Sequence, residues 1–309
     1  MFIRKYKLTL GAADKSQPLV LKQGVTSMSG SVVITDLHIR FRIKRTSDAQ
    51  HDTCEIEIYN LSKDTIAVFD KDDVLVQLEV GYRDQPLQML FRGTKTFMTT
   101  SKEEADVKTT VTCADGFTIT REGSVAVSNP SGTNLKTVIT SIVNNGMKSA
   151  DGTSTIKTVE FQGGADAFSK VYQNGFSAVG AAAKQLQSVC DDNNLTYTIT
   201  NNDTLTIWPK DKDNKYPATV LTPDNGLISS PESMSQEIQK LKNQGGTPSE
   251  SGVRFKCLLN PSLIAGSNVK IQGTFNRDGV YTVQSVTHTG GYESEEWYTE
   301  IEATNAGLK

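Results

Sequence analysis

Residues 35–46 read TDLHIRFRIKRT. Leu37, Ile39, Phe41 and Ile43 alternate with His38, Arg40, Arg42 and Lys44, the period of two that marks a half-buried strand. A slip of one residue would exchange the two faces, so the pattern commits the four apolar residues to a core and the four basic ones to the outside. The next stretch, CEIEIYN at 54–60, sets Cys54, Ile56 and Ile58 against Glu55, Glu57 and Tyr59 in the same way. Pairing the two strands through the polar turn SDAQHD lays His38, Arg40, Arg42 and Lys44 opposite Glu55 and Glu57. Across 36–60, four cations (Arg40, Arg42, Lys44, Arg45) meet five anions (Asp36, Asp48, Asp52, Glu55, Glu57), a balance of −1. A nucleic-acid grip needs cations left over to displace counterions from phosphates. The six outward residues therefore read as a salt-bridged surface or a subunit interface. Opposed charges of this kind contribute about 0.2–1 kcal/mol per pair and act on register more than on stability.

Strands separated by turns continue through the first ~110 residues by the same periodicity, at MFIRKYKLTL, VLVQLEVGY, LQMLFRGTKTF and VKTTVTCADG. One helical turn interrupts them at LSKDTIAVF, with Ser62 as cap, Asp64 in the first turn and Ile66 and Phe69 on one side. After Gly116 the pattern changes. Leu135, Val138, Ile139 and Ile142 follow a Thr133 or Asn134 cap at helical spacing, and a second helix is expected from Ser177 to about Cys190, with Val179, Ala182, Leu186, Val189 and Cys190 on one side. LTYTITNNDTLTIWPK reads as a hairpin turning at Asn202-Asp203. A polar run at 229–252 then reads as a loop or linker. Strands return at VRFKCLLN, NVKIQG, VYTVQSVTHTG and EEWYTEIEA. The chain divides into a β region at 1–112, an α+β region at 113–215 and a second β region at 216–309. DVLVQLEVGY…LFRGTKTF and NVKIQGTF…GVYTVQSV share an order of strands, which raises an internal repeat.

The net charge of −3 over 309 residues gives the whole chain no electrostatic footprint of a nucleic-acid binder. The N-terminus lacks the apolar run of a signal peptide, and no stretch approaches the ~20 apolar residues that span a bilayer, so a soluble protein made in a cytoplasm is expected. Cys54, Cys113, Cys190 and Cys257 lie far apart with no C-x-x-C pair and read as buried thiols. His38, His51 and His288 form no metal or nucleophile motif, and no phosphate-binding glycine motif occurs. Glu295 and Glu296 are adjacent on a strand and point to opposite faces, which excludes a shared substrate. No catalytic, cofactor-binding or metal residues are expected.

The succession TDLHIRFRIKRT…CEIEIYNLSKDT, VQLEVGYRD…LFRGTKT, LTYTITNNDTLTIWPK, VLTPDNGLISSP, FKCLLNPSLIAGSNVKI and GVYTVQSVTHTGGYESEEWYTEIEA resembles the baseplate hub proteins of contractile-tailed bacteriophages. The resemblance covers nearly the whole chain, with the run at 229–252 as its departure. It implies a mainly β fold with an α+β insert, in which two tail-tube-like antiparallel β-barrel domains flank the middle region. It further implies a homotrimer that joins a sixfold tail tube to a threefold spike. Its partners would be tail-tube, spike, tape-measure and other baseplate proteins, with DNA passing through without specific binding and no membrane insertion. The protein would sit in the virion baseplate after assembly in the host cytoplasm. The alternatives are a tail-tube protein, a secretion-system spike hub, a virion-associated cell-wall hydrolase, or a sugar-binding module anchored on Trp208 and Trp297.

Overall fold

In the computed structural model, residues 3–11, 25–28, 31–46, 52–70, 74–149, 155–201, 203–210, 218–234, 252–275 and 277–305 are described. The first region holds β1 (Arg4–Gly11), β2 (Val25–Met28), β3 (Ser31–Ile34), β4 (Ile39–Thr46), β5 (Thr53–Tyr59), α1 (Lys63–Phe69), β6 (Leu75–Tyr82), β7 (Gln88–Glu103) and β8 (Asp106–Ala114). The middle region holds α2 (Phe117–Glu122), β9 (Ser124–Asn129), β10 (Thr133–Asn134), α3 (Leu135–Gly146), β11 (Thr158–Phe161), β12 (Val171–Tyr172), β13 (Phe176–Ala181), α4 (Ala182–Asp191), β14 (Leu195–Thr200) and β15 (Thr204–Pro209). The last region holds β16 (Thr219–Leu221), β17 (Glu232–Ser233), β18 (Gly252–Leu258), β19 (Asn268–Ile271), β20 (Gly279–Gly291) and β21 (Trp297–Asn305).

The deciding stretch folds as its periodicity requires. Ile39, Phe41 and Ile43 are buried while Arg40, Arg42 and Lys44 are exposed, and Leu37 is half-buried just before the strand. Each buried aliphatic or aromatic side chain contributes about 1.5–3 kcal/mol. Phe41 meets the Trp297 ring edge to face at 5.6 Å, and a Cβ at Gly290 would overlap the Phe41 ring, so the glycine makes room for it. In α1, Ser62 Oγ accepts from the Thr65 amide at 3.2 Å, as a cap should.

The strands of the first and last regions join in one 14-stranded sheet. The seam is the antiparallel pair of β4 with the second half of β20, from Thr46↔Ser285 to Arg40↔Gly291. Among the described residues the ladder does not close: its path runs from β17 to β2. The mainly β expectation holds; among the described residues the two β regions share one continuous ladder and no closed barrel forms. The sheet nonetheless wraps two apolar clusters, one from Tyr6 to Cys113 that also takes in Leu259 and Trp297, the other from Leu221 to Ala303.

The two halves of the sheet repeat one another. The first half runs β4-β5-β8-β7-β6-β1 and the last β17-β18-β21-β20-β19-β16, the same order of the same sequence positions. The β-bulges coincide: Thr94↔Ala114 and Lys95↔Cys113 precede a skipped residue and then Phe97↔Thr112, just as Thr282↔Thr304 and Val283↔Ala303 precede one and then Ser285↔Glu302. The halves differ in that β1 lies antiparallel on β6 while β16 lies parallel on β19, and in that β6–β7 carries a register shift at Leu78/Glu79 that β19–β20 lacks.

The middle region buries its own cluster between Ile119 and Ile207. Asn134 caps α3 through its Oδ1, which accepts from the Thr137 amide at 2.9 Å, and Leu135, Val138, Ile139 and Ile142 are buried as spaced. The helix expected from Ser177 begins instead at Ala182. Residues 176–181 are β13, paired antiparallel with β9, and Val179 points into solvent. Gly180 sits at φ 119°, a conformation L side chains rarely adopt, which keeps a helix from extending back through it. The hairpin forms, with Thr200↔Thr204 as its last pair and Asn201 at φ 56° in the turn; Asn202 lies outside the described residues. Most of the polar run, 235–251, also lies outside them. That run falls between β17 and β18, the place that SDAQHD holds between β4 and β5.

Candidate assembly surface

The outward face of the sheet around the seam is built of charged ribbons, because alternate residues of each strand must face away from the core. Taken in sheet order, Arg254 and Lys256 stand on β18, Glu300 and Glu302 on β21, Ser285, Thr287 and Thr289 on β20, Arg40, Arg42 and Lys44 on β4, Glu55 and Glu57 on β5, and Lys108 on β8. Lys256 pairs with Glu300 at 2.8 Å, Arg254 pairs with Glu302, and Lys108 reaches both Glu57 at 3.3 Å and Glu103 at 2.5 Å. Burial works to raise the Glu302 carboxyl, but hydrogen bonds from Arg254 and Ser285 and the charges of Arg254 and Lys44 hold it below its ordinary value.

Five of the six residues singled out from sequence lie on this face, and His38 lies at its end. The β4–β5 register sets Arg40 opposite Glu57 and Arg42 opposite Glu55. Yet among the described residues neither arginine comes within 4 Å of a carboxylate; Glu57 turns to Lys108 on the other side. Solvated pairs gain too little to hold two long side chains together, so register does not enforce contact. His38 stands just before β4, 4.0 Å from Glu293 and edge-on to the Tyr59 ring. Between these strands lies a depression of about 320 Å³ bordered by Arg40, Arg42, Glu55, Glu57, Thr289, Glu296, Tyr298 and Glu300. Two arginines meet four glutamates there, a lining that repels phosphates on balance.

Sequence reading missed a buried polar cluster behind this face. Arg45 continues the inward parity of Ile39, Phe41 and Ile43, and its guanidinium is almost wholly enclosed. It lies 3.6 Å from Asp52, equally enclosed, and donates to the Leu90 carbonyl at 2.5 Å. His288 is fully buried nearby, its Nδ1 3.0 Å from Thr299 Oγ1. Burial pushes the Asp52 carboxyl up to about 7 against the pull of Arg45, and burial with the Arg45 charge pushes His288 down to about 3. Counting parity one step further would have found Arg45; counting it with the outward charges hid it.

All four cysteines are buried free thiols, and burial raises each of them. Trp208 and Trp297 are both buried, which leaves neither ring to stack on a sugar. Among the described residues no group of three His, Cys, Asp or Glu could hold a metal ion, and no helix is long and apolar enough to cross a membrane.

A search of curated proteins finds no match to the sequence. The fold is similar to that of the tail protein from Neisseria meningitidis MC58, at a TM-score of 0.57 and 10% identity over 98% of this chain and 97% of that one. It is similar to the 43 kDa tail protein of prophage MuSo2 from Shewanella oneidensis, at a TM-score of 0.59 and 9% identity over 97% of each. The E. coli c3393 protein is a component of the type VI secretion system with structural similarity to T4 bacteriophage tail proteins gp27 and gp5. It aligns at a TM-score of 0.57 and 10% identity over 93% of this chain and 75% of its own. The family model for baseplate hub gp41 matches residues 20–302, nearly the whole chain, and so the chain belongs to the baseplate hub gp41 family of structural phage tail proteins.

Proposed function

We propose that this protein is a homotrimeric hub that joins the sixfold tail tube to the threefold spike of a contractile-tail baseplate and lines the channel through which DNA leaves. The observation that carries this reading is the repeat within the sheet. Two modules of one strand order and one bulge position in each chain turn three copies into six like units, which meets a sixfold ring on one side and a threefold tip on the other. The division into 1–112, 113–215 and 216–309 follows, with the outer two regions acting as tube-like barrel modules and the middle one as an appended α+β unit. The partners are the tube, spike, tape-measure and neighbouring baseplate proteins, met in the host cytoplasm during assembly.

The charged face of His38, Arg40, Arg42, Lys44, Glu55 and Glu57 acts as a surface for register and passage rather than for catalysis. Interspersed signs let a polyanion slide past without the phosphate pairing that unopposed cations would impose. A native mass measurement of the purified chain, with imaging of the particle end-on, tests the reading. Three copies in a ring of six similar lobes are expected; a ring of six chains or single chains at all concentrations would overturn it.

A further inference from the structure

Within one chain, the second half of β20 is covered along its edge by β4. By the coincident bulges, β7 residues 97–103 occupy in the first module the place that β20 residues 285–291 occupy in the last. Their one side pairs with β8, from Phe97↔Thr112 to Glu103↔Asp106; among the described residues no strand covers the other side. The counterpart of β4 is the segment 227–234, which runs along β18 through the Leu227↔Cys257 bridge, the Ile228 amide on the Lys256 carbonyl, Glu232↔Arg254 and the Met234 amide on the Gly252 carbonyl. Its outer side is likewise uncovered by any strand among the described residues. Among the described residues each chain thus holds one filled seam, one empty seat and one strand without a seat.

We infer that the edge of β7 at 97–103 receives the 227–234 strand of a second copy of this chain, antiparallel and in the register that β4 keeps on β20. This rests on the ring reading above and gives it its contact. Among the described residues β17 and β7 of one chain do not pair with each other. Two different surfaces, each complementary to the other, make a head-to-tail contact, which closes into a ring when the rotation from copy to copy closes and runs on as a filament when it does not. Uncovered edges otherwise template uncontrolled pairing. Both edges also carry a large apolar side chain in solvent, Phe97 at 64% exposure and Ile228 at 56%. Thr289 opposes Arg42 across the internal seam. Ser101 replaces Thr289 and Glu232 replaces Arg42, so Ser101 of one copy comes opposite Glu232 of the next.

Opposed residues of an antiparallel pair have Cα atoms about 4.5–5.5 Å apart, within the span a disulfide bridges. The test is the full chain carrying S101C with E232C, oxidised and run on a non-reducing gel beside each single variant and beside T100C with E232C, which sets the two thiols on opposite faces. The expected result is covalent species of two and three chain masses from S101C/E232C, only two from a mixture of the single variants, and little from the controls. The four native cysteines are buried and do not compete. A trimeric native mass without the cross-link, or equal linking by one single variant alone, overturns this pairing while the ring reading stands. Single chains throughout overturn both.

Discussion

Arg45, Asp52 and His288 put three ionisable groups where the surrounding positions hold aliphatic and aromatic side chains. Their titrations oppose each other. Asp52 has its folded value raised, to about 7, so the stability it contributes is complete below its ordinary value near 4 and is lost as pH rises through 7. His288 has its folded value depressed, to about 3, so its contribution is complete above about 6.5 and is lost as pH falls towards 3. Between pH 4 and 6.5 the two slopes offset, and a flat profile of melting temperature is expected for the native chain. Asp52→Asn should leave His288 unopposed, with melting temperature falling from pH 6.5 to 4; His288→Gln should leave Asp52 unopposed, falling from pH 4 to 7. Asp52→Asn also strands a buried guanidinium and should cost about 3 kcal/mol at neutral pH. Parallel profiles for all three proteins would remove the account. Little of this was legible without the fold, because the partners come from β4, the residue before β5, β20 and β21, and only Arg45 carried a local signal in its parity.

At the scale of the element, period two carried the strands well, since one face of nearly every strand is buried. Cys54, Ile56 and Ile58 on β5 and Phe255 and Cys257 on β18 are inside with charged neighbours outside. It failed where small residues blurred the period. The serine, alanines and glycine of 177–181 fit a helix by spacing, and only pairing with β9, dozens of residues away, makes them a strand. The capped helix α3 was legible because its cap and apolar stripe are local. Asn134→Ala should lower stability by about 1 kcal/mol, read from the midpoint of urea unfolding. The outward arginines should behave in the opposite way. Arg40→Ala with Arg42→Ala removes no ion pair closer than 4 Å among the described residues and should change stability by less than about 0.5 kcal/mol, the usual range for exposed positions. A loss of several kcal/mol in that variant would show that the charged face holds the monomer together rather than serving its surroundings.

At the scale of the whole molecule, the seam between β4 and β20 makes the first and last regions one mechanical body despite the hundred residues between them. Their strands share ladders, and Phe41 of one packs on Trp297 of the other. The middle region differs: its cluster from Ile119 to Ile207 is its own, and among the described residues its ties to the sheet include polar ones, such as the Asn201 amide on Asp115 at 2.7 Å and Arg92 with Asp203 at 3.4 Å, beside the Trp208 ring at Gly266. An interface of that kind couples two units weakly, and cooperative unfolding then proceeds unit by unit. Calorimetry of the intact chain should therefore show two heat-absorption peaks. Phe41→Ala removes a buried ring at the seam, costs about 3–5 kcal/mol, and should move the peak that belongs to the sheet while leaving the other in place. Asn134→Ala should move only the peak of the middle unit, by a few degrees. The sites belong to different clusters and share no partner, so the double variant should show both displacements at their single-variant sizes. One peak displaced by either substitution would mean that the insert and the sheet unfold together, and the middle region would then be a wing of one domain instead of an appended unit.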